Sequence, residues 1–262
     1  MRFQINTQQT ILLVVLFIWT FTFSNERAFN NDIAKGVAIF NEAYDSWNET
    51  QFKKADSYFQ KIKSKYTQNY EPFYWLAVVN FYLVTFYLFG FEKDYSKKTA
   101  EIHLKEAIAY AKKAIRLNPV DAESYALLGT MNGINITFKP MTAVMVGSSV
   151  SKNIKNAQEL APQNPRVLYL VGMSYYHTPG VLGGGFRKGL SYLQQAEVFF
   201  QAEQKKNLEL HIPQWGFSTC LSFIGNIYLK KDMFSEAKQY YTKALDINSF
   251  DKQAKMGLVK IK

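Results

Sequence analysis

A single cysteine, Cys220, is all the thiol chemistry available to this chain of 262 residues. One thiol closes no internal disulfide and supplies no pair of metal ligands. Its surroundings, Phe217 to Ile224, are apolar and hold no basic neighbour to lower its pKa, so a buried, inert thiol is expected. Proline and glycine are also scarce, at 7 and 14 residues. That is too few for many short strands and tight turns, and long helices are favoured. Histidine is rarer still. His103, His177 and His211 stand apart and form neither an HExxH motif nor an i,i+4 pair. There is no G-x-S-x-G elbow and no paired-carboxylate pattern. The glycines between Pro179 and Phe186 have no G-K-[ST] after them and no strand before them, so the nucleotide-loop reading fails and a wide turn is expected. Catalysis, a cofactor and a bound metal are all unexpected.

Apolar material, in contrast, is plentiful. Hydrophobic residues make up 48% and charged residues 20%, enough for a continuous core and too apolar for disorder. Aromatic side chains are abundant: 21 Phe, 17 Tyr and 4 Trp. The net charge of +10 is spread along helical faces, as in Lys97, Lys98, Lys105, Lys112, Lys113 and Arg116, the pattern of a solvated face. That excess could attract acidic proteins or anionic head groups.

Residues 1–24 read as a targeting segment. One basic residue, Arg2, precedes the uncharged apolar run Ile11 to Phe23, and Thr22 and Ser24 are small residues placed for cleavage after Ser24. Thirteen helical residues rise about 20 Å, short of the roughly 30 Å hydrocarbon core. A cleaved secretory signal is expected, with an uncleaved membrane anchor as the alternative. No cysteine follows the run, which excludes a lipidated amino terminus of the bacterial lipoprotein type. The chain is therefore expected to be exported, either periplasmic or anchored to the inner membrane and facing the periplasm. Export argues against a nucleic-acid partner.

A repeat runs through the remainder. Near the carboxyl end, Leu221, Ile224, Gly225 and Tyr228 are followed by Phe234, Ala237, Tyr241, Ala244 and Leu245. Similar spacings join Tyr125, Leu128 and Gly129 to Ala157 and Pro162. They also join Leu168, Val171, Gly172 and Tyr175 to Phe186, Gly189, Leu193 and Ala196. Upstream, Phe73, Leu76 and Ala77 open a unit closed by Ala107, Ala114 and Pro119, and Phe52, Ala55, Phe59 and Ile62 suit a more degenerate first one. Small residues at these intervals let two helices approach closely, and large ones fill the gaps between them.

This pattern resembles the roughly 34-residue tetratricopeptide repeat, as found in exported bacterial members of that family. Gly129, Gly172, Tyr175, Gly225, Tyr228, Ala237, Tyr241 and Ala244 carry the resemblance. It implies an all-α, right-handed solenoid of about five antiparallel helix hairpins over residues 31–262, with extended and inserted segments. The units fall near 33–67, 71–119, 121–163, 165–201 and 214–249, with a capping helix at 250–262.

In such repeats the first helix of each hairpin lines an inner surface. Carried onto this sequence, that surface would hold Tyr74, Val78, Phe81 and Tyr82 in the second unit. The third unit would give Leu127, Thr130 and Ile134, and the fourth Tyr169, Met173, Tyr176 and His177. The fifth would give Phe223, Asn226 and Lys230. The lining is aromatic and apolar. Only Asn226 and Lys230 suit a clamp for a peptide carboxylate, so a peptide or protein segment bound through apolar contacts is the expected ligand. A carrier or transport accessory enclosing a hydrophobic small molecule is the alternative. Tyr74 to Phe91 is uncharged and carries eight aromatic rings. A long buried helix is expected there, its part beyond Leu83 covered by the Phe138-to-Val150 stretch or by a second copy of the chain. Pro213 to Gly216 reads as a helix start.

Overall fold

The structure, a computed structural model, describes residues 7–89, 95–206 and 214–261, with the side chains of all of these except 7–24 and 89. The amino-terminal targeting expectation thus rests on residues whose side chains lie outside the described set. His211, Pro213, Gly90 and Phe91 lie outside it altogether.

Eleven α-helices and no strands occur among the described residues. Helices α1 (Thr7–Ser46) and α2 (Glu49–Lys65) form the first hairpin, α3 (Glu71–Phe89) and α4 (Lys97–Leu117) the second. The third pairs α5 (Ala122–Phe138) with α6 (Ala143–Leu160), and the fourth α7 (Pro165–His177) with α8 (Phe186–Gln204). In the fifth, α9 (Phe217–Leu229) packs on α10 (Phe234–Ile247), and α11 (Lys252–Ile261) covers the end. The chain is an all-α solenoid of helix hairpins.

Local chemistry starts and stops these helices. Asn48, Ser96, Asp121 and Asn164 each sit before a helix in extended backbone, and their side chains accept from amides of the first turn. Pro165 occupies the first position of α7, where no amide is needed. In α4 the buried stripe is Ala100, Leu104, Ala107, Ala111 and Ala114. Four alanines of five let the ring-rich α3 lie close.

Glycine does the same at the tightest crossings. A Cβ built on Gly129 would lie 2.8 Å from the Ile154 side chain, and one on Gly225 would lie 2.6 Å from the Tyr241 ring. On Gly172 it would meet Leu193 at 2.7 Å and the Gly189 carbonyl at 3.0 Å. Each glycine therefore marks the closest approach of α5 to α6, α9 to α10 and α7 to α8. Leu245 and Tyr175 are partly buried beside these contacts, while Ala237, Tyr241 and Ala244 are fully enclosed.

The array curls until its ends meet. The Tyr44 hydroxyl on α1 lies 2.9 Å from Ser218 Oγ on α9 and accepts from the Gly216 amide at 3.3 Å. Asn248 donates to the Tyr44 carbonyl, and the Tyr82 and Trp215 rings meet edge to face with centroids 5.9 Å apart. Lys252 at the start of α11 lies 4.8 Å from the Phe86 ring on α3. Phe40, Trp47, Phe52, Trp75 and Tyr82 fill the centre of this closure with ring-on-ring contacts. Each fully buried ring contributes about 1.5–3 kcal/mol by leaving water.

Two sequence expectations change here. Gln214 to Gly216 is not a helix start: α9 begins at Phe217, Gly216 has φ 107°, and Trp215 is a fully buried plug in the core. The part of α3 beyond Leu83 meets more than the Phe138-to-Val150 stretch. Tyr87 stacks on His103 of α4, and Val84 and Leu88 line a groove that Phe138 and Val150 also line.

Candidate functional site

Above the aromatic closure the curled array leaves a groove of about 970 Å³. Six helices line it, four with residues at i, i+3, i+4 and i+7. These are Phe81, Val84, Thr85 and Leu88 on α3, Thr130, Gly133, Ile134 and Thr137 on α5, Phe223, Asn226, Ile227 and Lys230 on α9, and Gln253, Met256, Gly257 and Lys260 on α11. A fifth helix, α7, presents Tyr169, Met173, Tyr176 and His177, and α6 is the sixth. This spacing sets each row on one face of its helix. The first turns of α6 and the Thr178–Leu182 connector complete the wall.

The groove is apolar with a cationic edge. Its basic lining side chains are His177, Lys230 and Lys260, and no carboxylate lines it among the described residues. Lys230 lies 5.7 Å from the centre of the Tyr176 ring. Tyr176 meets Phe223 edge to face at 5.3 Å, and His177 lies 5.8 Å from the same phenylalanine. His177 reaches solvent at its edge, but the crowding of its ring and then the Lys230 charge lower its pKa, favouring neutral imidazole. At the base, Tyr241 donates to Asn226 at 2.7 Å, and Asn226 donates to Gln253 at 3.2 Å. These bonds fix the amide facing the groove.

The inner-surface residues chosen from sequence divide into two groups. Phe81, Thr130, Ile134, Tyr169, Met173, Tyr176, His177, Phe223, Asn226 and Lys230 line the groove. Tyr74, Val78, Tyr82 and Leu127 do not: they are buried in the core, because α1 and Trp215 fill the concave side at their level. Lys260, Met256 and the α6 residues were not anticipated from sequence.

A buried ionic network was also missed. Arg166 on α7 donates its Nε to Glu123 at 3.1 Å and both terminal nitrogens to Glu203, at 3.0 and 2.9 Å. Tyr74 donates a short bond to Glu123, Asn164 donates to it at 2.8 Å, and Trp215 donates to Tyr74 at 3.1 Å. Burial works against the guanidinium charge, but the two carboxylates outweigh it and raise the Arg166 pKa. The same burial, with the Glu123 charge, pushes Tyr74 well up. Each group faces fixed partners, so the network joins α3, α5, α7 and α8. A second, polar cleft of about 540 Å³ borders it, lined in part by Asp45, Glu203 and Gln214.

Other sequence candidates have structural surroundings. Cys220 is buried, its thiol pushed well up by burial and 3.6 Å from the Leu193 carbonyl. His103 is half-buried, hydrogen-bonded to Asn80 at 2.7 Å, and burial lowers its pKa. The Pro179–Phe186 turn spends its amides internally: Gly183, Gly184 and Gly185 donate to Gly180, Pro179 and Tyr175 carbonyls. No group of three or more His, Cys, Asp or Glu able to hold a metal ion occurs among the described residues. No helix among them is long and apolar enough to cross a membrane.

Known families recognise the same helices. The sequence profile of the regulator of microtubule dynamics protein 1-3 family matches residues 39–179, more than half of the chain. The chain belongs to that family. A tetratricopeptide-repeat profile matches residues 219–251, covering α9 and α10, so the family's helical array is continued here by a recognised repeat. No curated protein matches. Among solved structures, TTC0263, a thermophilic tetratricopeptide protein of Thermus thermophilus, superposes with a TM-score of 0.60 at 17% identity. The match covers 89% of this chain and 98% of that one, and it shows the shared fold. MamA residues 41-end from Desulfovibrio magneticus RS-1 aligns over 84% of this chain and 97% of its own, at 15% identity and a TM-score of 0.37.

Proposed function

We propose that this protein is a non-catalytic interaction and scaffolding module of the cell envelope, which holds an apolar segment of a protein partner in its groove. The repeat fold supports a protein-binding role in general. The observation that carries the finer reading is the groove itself: six helices turn apolar and small polar side chains toward one opening, with no carboxylate among the described lining residues. Apolar walls with a few placed polar groups suit a hydrophobic segment ordered on binding. The family's name refers to microtubule dynamics in its named members; groove chemistry, not that name, supports the present reading. The envelope location rests on the amino-terminal segment, in either its cleaved or its anchored form.

One observation favours a second reading, a carrier for a hydrophobic small molecule. Phe81, Thr130, Tyr169 and Ile227 in the groove's lining are themselves buried, so its inner part is enclosed as a small-molecule site would be. Native mass spectrometry of protein isolated from its own cells separates the two. The interaction reading predicts a defined complex with a polypeptide that Met173→Glu abolishes while the chain stays folded. A retained apolar small molecule, lost in the same variant, supports the carrier instead. A bare chain overturns both.

A further inference from the structure

The groove's mouth has a rim that the solenoid leaves uncovered. In antiparallel hairpins the turns within units all lie at one end of the array, and two of these turns are apolar here. Where α5 gives way to α6, Met141 of the connector and Val144 and Met145 of the first turn of α6 are 90%, 93% and 82% exposed. Between α7 and α8, Val181 and Leu182 are 95% and 74% exposed. Ala143 and Leu182 also line the groove, which places both turns at its opening. Such exposure on consecutive turns is unlike the scattered apolar residues of an ordinary surface.

The charges beside this rim are mostly of one sign. Lys139, Arg187, Lys188, Lys230, Lys231 and Lys260 stand exposed around it. The acids described there are Glu101, Asp232 and Glu236, and Glu101 already faces Lys139 at 3.5 Å. Unbranched and aliphatic side chains that can sink among acyl chains, ringed by long cationic ones that reach head groups, suit the interface of an anionic bilayer.

We infer that the groove's rim, formed by the Met141–Met145 and Val181–Leu182 turns, docks on an anionic lipid bilayer. The inference goes beyond the groove's occupant, whose nature it does not need. A docked rim would open the groove toward the membrane surface, where apolar segments are presented. The turns between hairpins lie at the other end of the array; Val120, 70% exposed between α4 and α5, belongs to one of them.

The test uses the full chain with Cys220→Ala and an environment-sensitive fluorophore on Val181→Cys or, as control, on Val120→Cys. Vesicles are phosphatidylglycerol-rich or purely phosphatidylcholine. Expected is a blue shift and gain in emission at position 181 with anionic vesicles, weaker in high salt, with position 120 unchanged. A Leu182→Asp change in the labelled chain should abolish the response. The inference is overturned if position 181 stays water-like while the chain sediments with anionic vesicles, or if the chain does not associate with them. Equal responses to both lipids overturn it too, as does a response that follows protein concentration without vesicles, which would assign the rim to a second copy.

Discussion

Trp215 donates its indole N–H to the hydroxyl of Tyr74, 3.1 Å away across 141 positions of sequence. Tyr74 in turn donates to Glu123, so two bonds in series tie the entry to the last hairpin to the second and third hairpins. Trp215→Phe keeps most of the packing and removes the donor, and is expected to cost about 1–2 kcal/mol. Trp215→Ala also opens a cavity and is expected to cost about 3–5 kcal/mol. Urea unfolding followed by far-ultraviolet circular dichroism measures both. Equal losses would mean that the ring's volume contributes nothing to the closure.

The buried Arg166 neutralises two carboxylates, Glu123 in the interior and Glu203 at the edge of the polar cleft. Arg166→Met leaves Glu123 and Glu203 without their cation and is expected to destabilise the fold by about 3–5 kcal/mol. Adding Glu123→Gln and Glu203→Gln should recover part of that loss. A single variant as stable as the parent would contradict the network's role, and urea midpoints in one buffer decide it.

Gly172 and Gly147 make opposite predictions for the same substitution. Gly172→Ala drives a methyl toward Leu193 and the Gly189 carbonyl, and is expected to cost about 1–3 kcal/mol. Gly147, in α6, has nothing within 4 Å of an added Cβ. Gly147→Ala should therefore stabilise by about 0.5–1 kcal/mol through helix propensity. Thermal melts of the two variants beside the parent give the signs directly.

Much of this array was legible in the sequence, for a physical reason. Gly129, Gly172 and Gly225 recur because helix pairs can approach only where a side chain is missing, and that demand repeats with the unit. Phe81, Tyr169, Met173 and Phe223 follow the same ruler to the groove. Residues at the closure obey no such period. Tyr44 meets Ser218 because the superhelix turns back on itself, and nothing local to either residue encodes that meeting. Tyr74, Val78, Tyr82 and Leu127 hold inner-face positions, yet α1 and Trp215 occupy the space before them. Glu123, Arg166 and Glu203 look like solvated helix charges in one dimension. Only the stacking of the third hairpin on the fourth turns them toward one another.

Acidity should report the Asp121 cap. Burial, opposed by its hydrogen bond from Ser124 and reinforced by the Glu123 charge, pushes Asp121 up to about 6. The unfolded value is about 3.9, so the folded state holds a proton that the unfolded chain releases. The charged cap therefore disfavours folding at pH 7, and this penalty fades as pH falls from about 7 to about 4. Asp121→Asn keeps the capping acceptor without the charge. It should be more stable than the parent at pH 7 by about 1 kcal/mol or more, with the gap closing on acidification. A gap that stays constant or widens toward pH 4 would contradict the shift.

The groove itself is best questioned where Tyr176, Phe223 and Lys230 converge. A photoreactive phenylalanine analogue at Tyr176, incorporated in the native cell, should crosslink to one defined polypeptide segment. Met173→Glu should suppress that product, and the same analogue at Val120 should not form it. Adduct formation of equal yield from both positions, or a product from Tyr176 that Met173→Glu leaves unchanged, would contradict binding in the groove.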